Sequence, residues 1–180
     1  MVNNSKELVR LACQLSFSFL VFLTLTANAQ NLNNDYTSLL QENGILYFII
    51  PQSGFKDVKT DGKLTYDITY NTGNEWALIN FSYYDKREIT IDSVAFITVG
   101  NRISNNAKKL FVERKKTRWH FRYSTNLLFH ELEKFFTPED EPKIKLYTNL
   151  GLIEFNIKNR IWRRQSSIIK KIMTLIKQNR

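Results

Sequence analysis

The sequence predicts an α+β, β-rich fold: a mostly antiparallel sheet of about seven strands, built as a sandwich or a partly open barrel, with one short mid-chain helix and a basic amphipathic helix at the C-terminus. Three observations predict it. Segments of two-residue alternation, such as Lys63–Tyr70 and Arg118–Ser124, recur through the middle of the chain. Turn-forming residues separate such segments at short intervals, as in Asn71-Thr72-Gly73-Asn74 and Asn149-Leu150-Gly151. The apolar period changes to three and four at Leu128–Phe136 and again at Arg160–Gln178.

The first 29 residues follow a different logic. Lys6 and Arg10 make a basic start, an uncharged apolar run extends from Leu11 to Thr26, and Ala27-Asn28-Ala29 is the small-x-small pattern that a signal peptidase accepts. This order predicts a cleavable signal peptide over residues 1–29 and a single β-rich domain over 30–180. An uncleaved anchor helix is disfavoured, because the uncharged run is shorter than the ~20 residues a spanning helix needs. A lipoprotein is disfavoured too, since Cys13 precedes the apolar core rather than ending it. The Ala27-Asn28-Ala29-Gln30 junction resembles those of secreted proteins of Gram-negative bacteria, the Bacteroides group in particular. That resemblance implies a periplasmic or extracellular protein. No transmembrane segment is expected after cleavage. The lone cysteine departs with the leader, which excludes disulfides, thiol catalysis and cysteine-based metal sites.

Along the remaining chain, Asp35–Asn43 is expected as a short helix closed by Gly44. Ile45–Ile50 is a buried strand stopped by Pro51, and Lys63–Tyr84 is a hairpin. Ile91–Val99 is a strand, and Lys109–Glu113 pairs with Arg118–Ser124 across the basic turn Arg114-Lys115-Lys116-Thr117. The mid-chain helix follows a Ser124-Thr125-Asn126 start and ends at Thr137–Pro142. Lys143–Thr148 and Leu152–Ile157 form a second hairpin. The last helix spans 160–178, with Asn159 as its N-cap and an apolar stripe of Ile161, Ile168, Ile169, Ile172 and Ile176, with Trp162 and Met173 beside it.

Charge is polarised along the chain. Residues 30–100 hold 5 basic and 9 acidic side chains, net −4, whereas residues 101–180 hold 19 and 7, net +12. Arg163, Lys170 and Lys177 recur every seven residues on one helix face, with Arg164 and Lys171 beside them; Lys115 and Lys116 mark a second basic block. These seven residues are the candidate contacts to an anionic envelope component, such as lipid head groups or lipopolysaccharide. Tyr66, Tyr70, Trp76 and Tyr84 are candidate aromatic contacts to a glycan or a protein partner. Nucleic acid is an unfavoured partner, because export separates the two and because alternation puts the rings Trp119, Phe121 and Tyr123 opposite Arg118 and Arg122.

Signatures of catalysis are weak. The two histidines, His120 and His130, do not form a metal-ligand pattern, and there is no Gly-x-Ser-x-Gly elbow. No cofactor and no dedicated metal site are expected. Asp67 and Glu75 could approach each other across the first hairpin as paired carboxylates. The expected role is a non-enzymatic exported module that binds a protein partner, an envelope surface or a glycan. The alternative is a small secreted hydrolase that assembles histidine and carboxylate residues in space.

Overall fold

A computed structural model describes residues 34–60, 62–136 and 142–180 of the chain. The expected leader, the start of the domain up to residue 33 and the helix-ending segment 137–141 lie outside the described residues. The compact unit Asp35–Arg180 runs β1 (Tyr36–Gln41), β2 (Gly44–Asp57), β3 (Lys63–Asn71), β4 (Trp76–Asp85), β5 (Ile91–Thr98), β6 (Asn101–Asn106), β7 (Lys108–Lys115), β8 (Arg118–Leu128), α1 (Phe129–Phe136), β9 (Lys143–Thr148), β10 (Gly151–Asn156) and α2 (Asn159–Gln178). The ten described strands form one sheet in the order β6-β5-β9-β10-β2-β3-β4-β8-β7, with β1 attached to the first half of β2, and their pairings are antiparallel.

The two ends of that order are neighbours in sequence. Only Ala107 separates β6 from β7, so one bent strand pairs with β5 through its first half and with β8 through its second. At the bend the Ala107 N–H donates to Asp92 O (2.9 Å) and the Thr125 hydroxyl donates to Asn106 O (3.0 Å). The sheet is thereby nearly closed as a barrel. Near-closure hides most of the edge that an open sheet would expose.

Alternation builds the interior. Leu64, Tyr66 and Ile68 of β3 stand beside Tyr83, Phe81 and Ile79 of β4, and these beside Phe121, Tyr123 and Thr125 of β8; all nine are buried. Onto this lining pack Phe129, Leu132, Phe135 and Phe136 of α1, and Trp162, Ile169, Ile172, Met173 and Ile176 of α2. The Trp162 ring lies 5.2 to 6.3 Å from the rings of Phe136, Phe135 and Phe55. Arg180 completes the far end, its guanidinium over the rings of Tyr70 (5.8 Å) and Phe129 (5.4 Å).

Several expectations need correction. Residues 35–43 are not a helix: β1 pairs with β2 from Tyr36 opposite Ile49 to Gln41 opposite Gly44. Helix propensity yields here to the unpaired outer edge of β2. Gly44, at φ +124°, serves the turn between them rather than capping a helix. Pro51 does not stop β2, which continues to Asp57 through a register shift between Ile49 and Gln52. On the other edge β1 ends opposite Ile49 and β10 joins only at Lys56, so the missing Pro51 N–H breaks no pairing. The polar β6 was not expected, because Ile103 is its one buried residue. Ser124–Asn126 belong to β8, and α1 begins at Phe129, with the Glu131 carboxylate accepting from Leu128 N (3.0 Å). Lys158, not Asn159, occupies the N-cap of α2, and Ile161 is exposed while Trp162, Gln165 and Ser166 extend the buried stripe.

Candidate anion-binding surfaces

The basic face of α2 follows from how the helix is docked. Its buried stripe recurs at Trp162, Gln165/Ser166, Ile169, Ile172/Met173 and Ile176, which turns Arg163, Arg164, Lys170, Lys171 and Lys177 outward, and all five are exposed. Lys177 is tied to Glu133 of α1 (2.6 Å). Arg163, Arg164, Lys170 and Lys171 have no acidic partner among the described residues. Gln165 anchors the helix: its amide accepts from the Tyr66 hydroxyl (3.2 Å) and donates to Ser53 O.

Lys115 and Lys116 do not join that face. They sit at the β7–β8 turn, and four steps of sheet order separate β7 from the strand β2 on which α2 packs. Lys115 pairs with Glu113 (2.9 Å), a hydrogen bond that raises the lysine pKa and lowers that of the carboxylate. Lys116 takes the left-handed turn position at φ 57°.

The aromatic candidates divide. Tyr66 and Tyr70 are core residues and offer no surface to a ligand. Trp76 and Tyr84 alternate with buried residues of β4 and stand on the outer face of the sheet, 52% and 37% exposed. Alternation alone could not say which rings face outward, since Tyr83 and Tyr84 are adjacent in sequence.

The carboxylate pair is not formed. Asp67 lies opposite Asn80, so Glu75 is five residues further along, or about 16 Å at ~3.3 Å per residue. The Asp67 carboxylate is 1% exposed and accepts from Arg122 Nη2 (2.6 Å) and Asn80 Nδ2 (2.8 Å), while Arg122 Nη1 donates to Ser82 Oγ (3.1 Å). His130 is exposed on α1. His120 is held between rings, stacked on Tyr84 at 4.3 Å and edge-on to Phe111 at 5.0 Å, with Nδ1 3.1 Å from Glu113 Oε1.

A cleft that sequence reasoning missed opens at one end of the barrel, with a volume of about 520 Å³. Lys59, Thr60 and Gly62 come from the β2–β3 loop, Tyr83 to Arg87 from the end of β4 and the segment after it, and Arg118 from the start of β8. The nearby carboxylates are turn caps. Asp57 accepts from Lys59 N (2.9 Å) and the Thr60 hydroxyl (2.5 Å). Asp85 accepts from Arg87 N (2.9 Å), from Arg87 Nε (3.4 Å) and from the Tyr83 hydroxyl (2.9 Å). Burial pushes the Asp85 pKa up, but these donors outweigh it and hold the carboxyl below its usual range. A carboxylate so engaged is a poor proton donor at neutral pH.

No family model matches the chain, and no curated protein or solved structure matches it either. Among the described residues, no three His, Cys, Asp or Glu side chains converge in a metal-binding group. No described helix is long and apolar enough to cross a membrane. Sequence did not group the cleft residues: Lys59, Lys86 and Arg118 lie in segments far apart along the chain, and only topology unites them.

Proposed function

We propose that the protein is an exported, non-enzymatic binding module that engages an anionic envelope surface through the outward face of α2. The observation that carries this reading is the set of four exposed cations, Arg163, Arg164, Lys170 and Lys171, without acidic partners among the described residues on a helix whose other face is locked into the core. The order of basic, apolar and small-x-small segments in residues 1–29 supports export.

Magnitudes decide how the helix would bind. Burying a large apolar side chain contributes about 1.5–3 kcal/mol, so the five on α2 contribute roughly 8–15 kcal/mol to keeping it in the barrel. Each cation near an anionic membrane contributes only ~1 kcal/mol. The helix therefore adsorbs by charge without leaving the core. Four such cations give about 4 kcal/mol, equivalent to a Kd of about 1 mM.

The test is cosedimentation with phosphatidylcholine vesicles with and without phosphatidylglycerol. The purified protein is expected to adsorb only to the anionic vesicles at low salt and to be released at about 0.5 M salt. Arg163→Glu with Lys170→Glu is expected to abolish adsorption. Equal adsorption of wild type and variant would overturn the reading, as would equal adsorption to neutral vesicles.

A further inference from the structure

We infer that the barrel-end cleft is a binding site for a phosphomonoester, independent of the α2 face. Among the described residues its lining holds four cations, Lys59, Lys86, Arg87 and Arg118, against one acid, Asp85, a net charge of +3 for those residues. Asp85 is already taken up by Arg87 and Tyr83, and the adjacent Asp57 by Lys59 N and Thr60. The side-chain charges of Lys59, Lys86 and Arg118 meet no acid among the described residues. Three like charges around one concavity repel each other until an anion enters it.

The charge number selects the anion. A carboxylate brings one negative charge and two oxygens. A phosphomonoester brings about −1.5 to −2 at neutral pH and three acceptor oxygens, which matches three cationic donors from three separate segments. The Arg118 guanidinium adds the planar fork suited to phosphate.

The rest of the cleft suits what carries the phosphate. About 520 Å³ is a small-molecule volume and exceeds what one phosphate fills. Tyr84 lines it as an exposed ring that cannot turn freely, because it is stacked on His120 with an interplanar angle of 6° and His120 is held by Glu113. A fixed aromatic wall beside a phosphate subsite fits the face of a sugar ring. The ligand class is therefore a phosphorylated saccharide or a phosphorylated lipid head group, which share the phosphomonoester.

Titration calorimetry of the purified protein with glucose 6-phosphate, glucose and inorganic phosphate tests the site, alongside cosedimentation with phosphatidic-acid vesicles. The expected result is saturable binding of a phosphate probe and none of glucose. Lys86→Gln with Arg118→Gln should weaken that binding by about tenfold or more, with an unchanged circular-dichroism spectrum. Lys59→Gln alone should give a smaller loss, and provides the reading if the double variant misfolds. Arg163→Glu with Lys170→Glu should leave glucose 6-phosphate binding intact, which separates this site from the helix face. Binding confined to glucose 6-phosphate assigns a free phosphosugar; cleft-dependent binding confined to phosphatidic acid assigns a lipid head group. Failure of every phosphate probe to bind, or binding that is insensitive to the cleft substitutions, overturns the inference.

Discussion

The Tyr66 hydroxyl on β3 donates to Gln165 Oε1 on α2 at 3.2 Å, inside a core where both side chains are buried. This hydrogen bond ties the last helix to a strand 99 residues earlier. Burial pushes the Tyr66 pKa far above its usual value, so the phenol stays a neutral donor at every working pH. Gln165→Ala removes the partner of both Tyr66 and Ser53 O. It should cost about 1–3 kcal/mol and lower Tm by a few degrees per kcal/mol, measured by thermal unfolding. An unchanged Tm would show that water replaces the amide.

Gly54 sets how closely α2 approaches β2. It sits at φ +146°, within the irregular stretch between Ser53 and Phe55, and a Cβ there would meet Ile161 Cγ2 at 2.8 Å and Ile157 Cδ1 at 3.1 Å. Gly54→Ala combines backbone strain with displacement of the helix. A destabilisation of more than about 1 kcal/mol is expected in urea titration. Gly100→Ala, where a Cβ meets nothing within 4 Å but φ is +75°, isolates the strain alone and should cost less.

The pair Asp67–Arg122 behaves as a unit. Asp67 is 1% exposed, so Arg122→Met leaves a buried carboxylate without its cation, a change that costs about 3–5 kcal/mol in buried pairs. Partial exposure of the Arg122 side chain, 29%, places the expected loss at the low end of that range. Asp67→Asn with Arg122→Met should recover most of it. A double-mutant cycle in which the two single losses simply add would contradict this coupling.

Acid should remove the contribution of Glu154. Hydrogen bonds from Lys143 (2.9 Å) and Lys145 (3.0 Å) lower its pKa in the folded chain from the ordinary 4.5. A carboxyl with a depressed folded pKa stabilises above its unfolded value, and the contribution is lost as pH falls through the folded value. Glu154→Gln should therefore lower Tm at pH 7, and the wild-type and variant curves should converge as pH drops below 4.5. A gap that persists undiminished in strong acid would assign the effect to packing.

Much of the architecture was legible in the chain because it rests on local period. Leu64, Tyr66, Ile68 and Tyr70 alternate with polar residues, so one face had to be buried, and the β3–β4 hairpin follows from its turn residues. The basic face of α2 was legible for the same reason, since Arg163, Lys170 and Lys177 share a side of any helix. β1 and β6 were not legible. Both are largely exposed, so burial leaves little periodic mark on them, and what makes them strands is an open neighbour edge at β2 or β5.

Local chemistry, then, dictated the period of each segment, the polarity of charge from −4 to +12 and the faces that water would reach. Tertiary structure decided which segments meet. It brought the sheet near to closure through the β6–β7 bend, buried Tyr66 while exposing Tyr84, and drew Asp67 to Arg122 instead of Glu75. It also gathered Lys59, Lys86 and Arg118 around one cleft. The physical reason is that side-chain period depends on neighbours a few residues away, whereas strand order and register depend on hydrogen bonds between residues tens of positions apart, which no local pattern encodes.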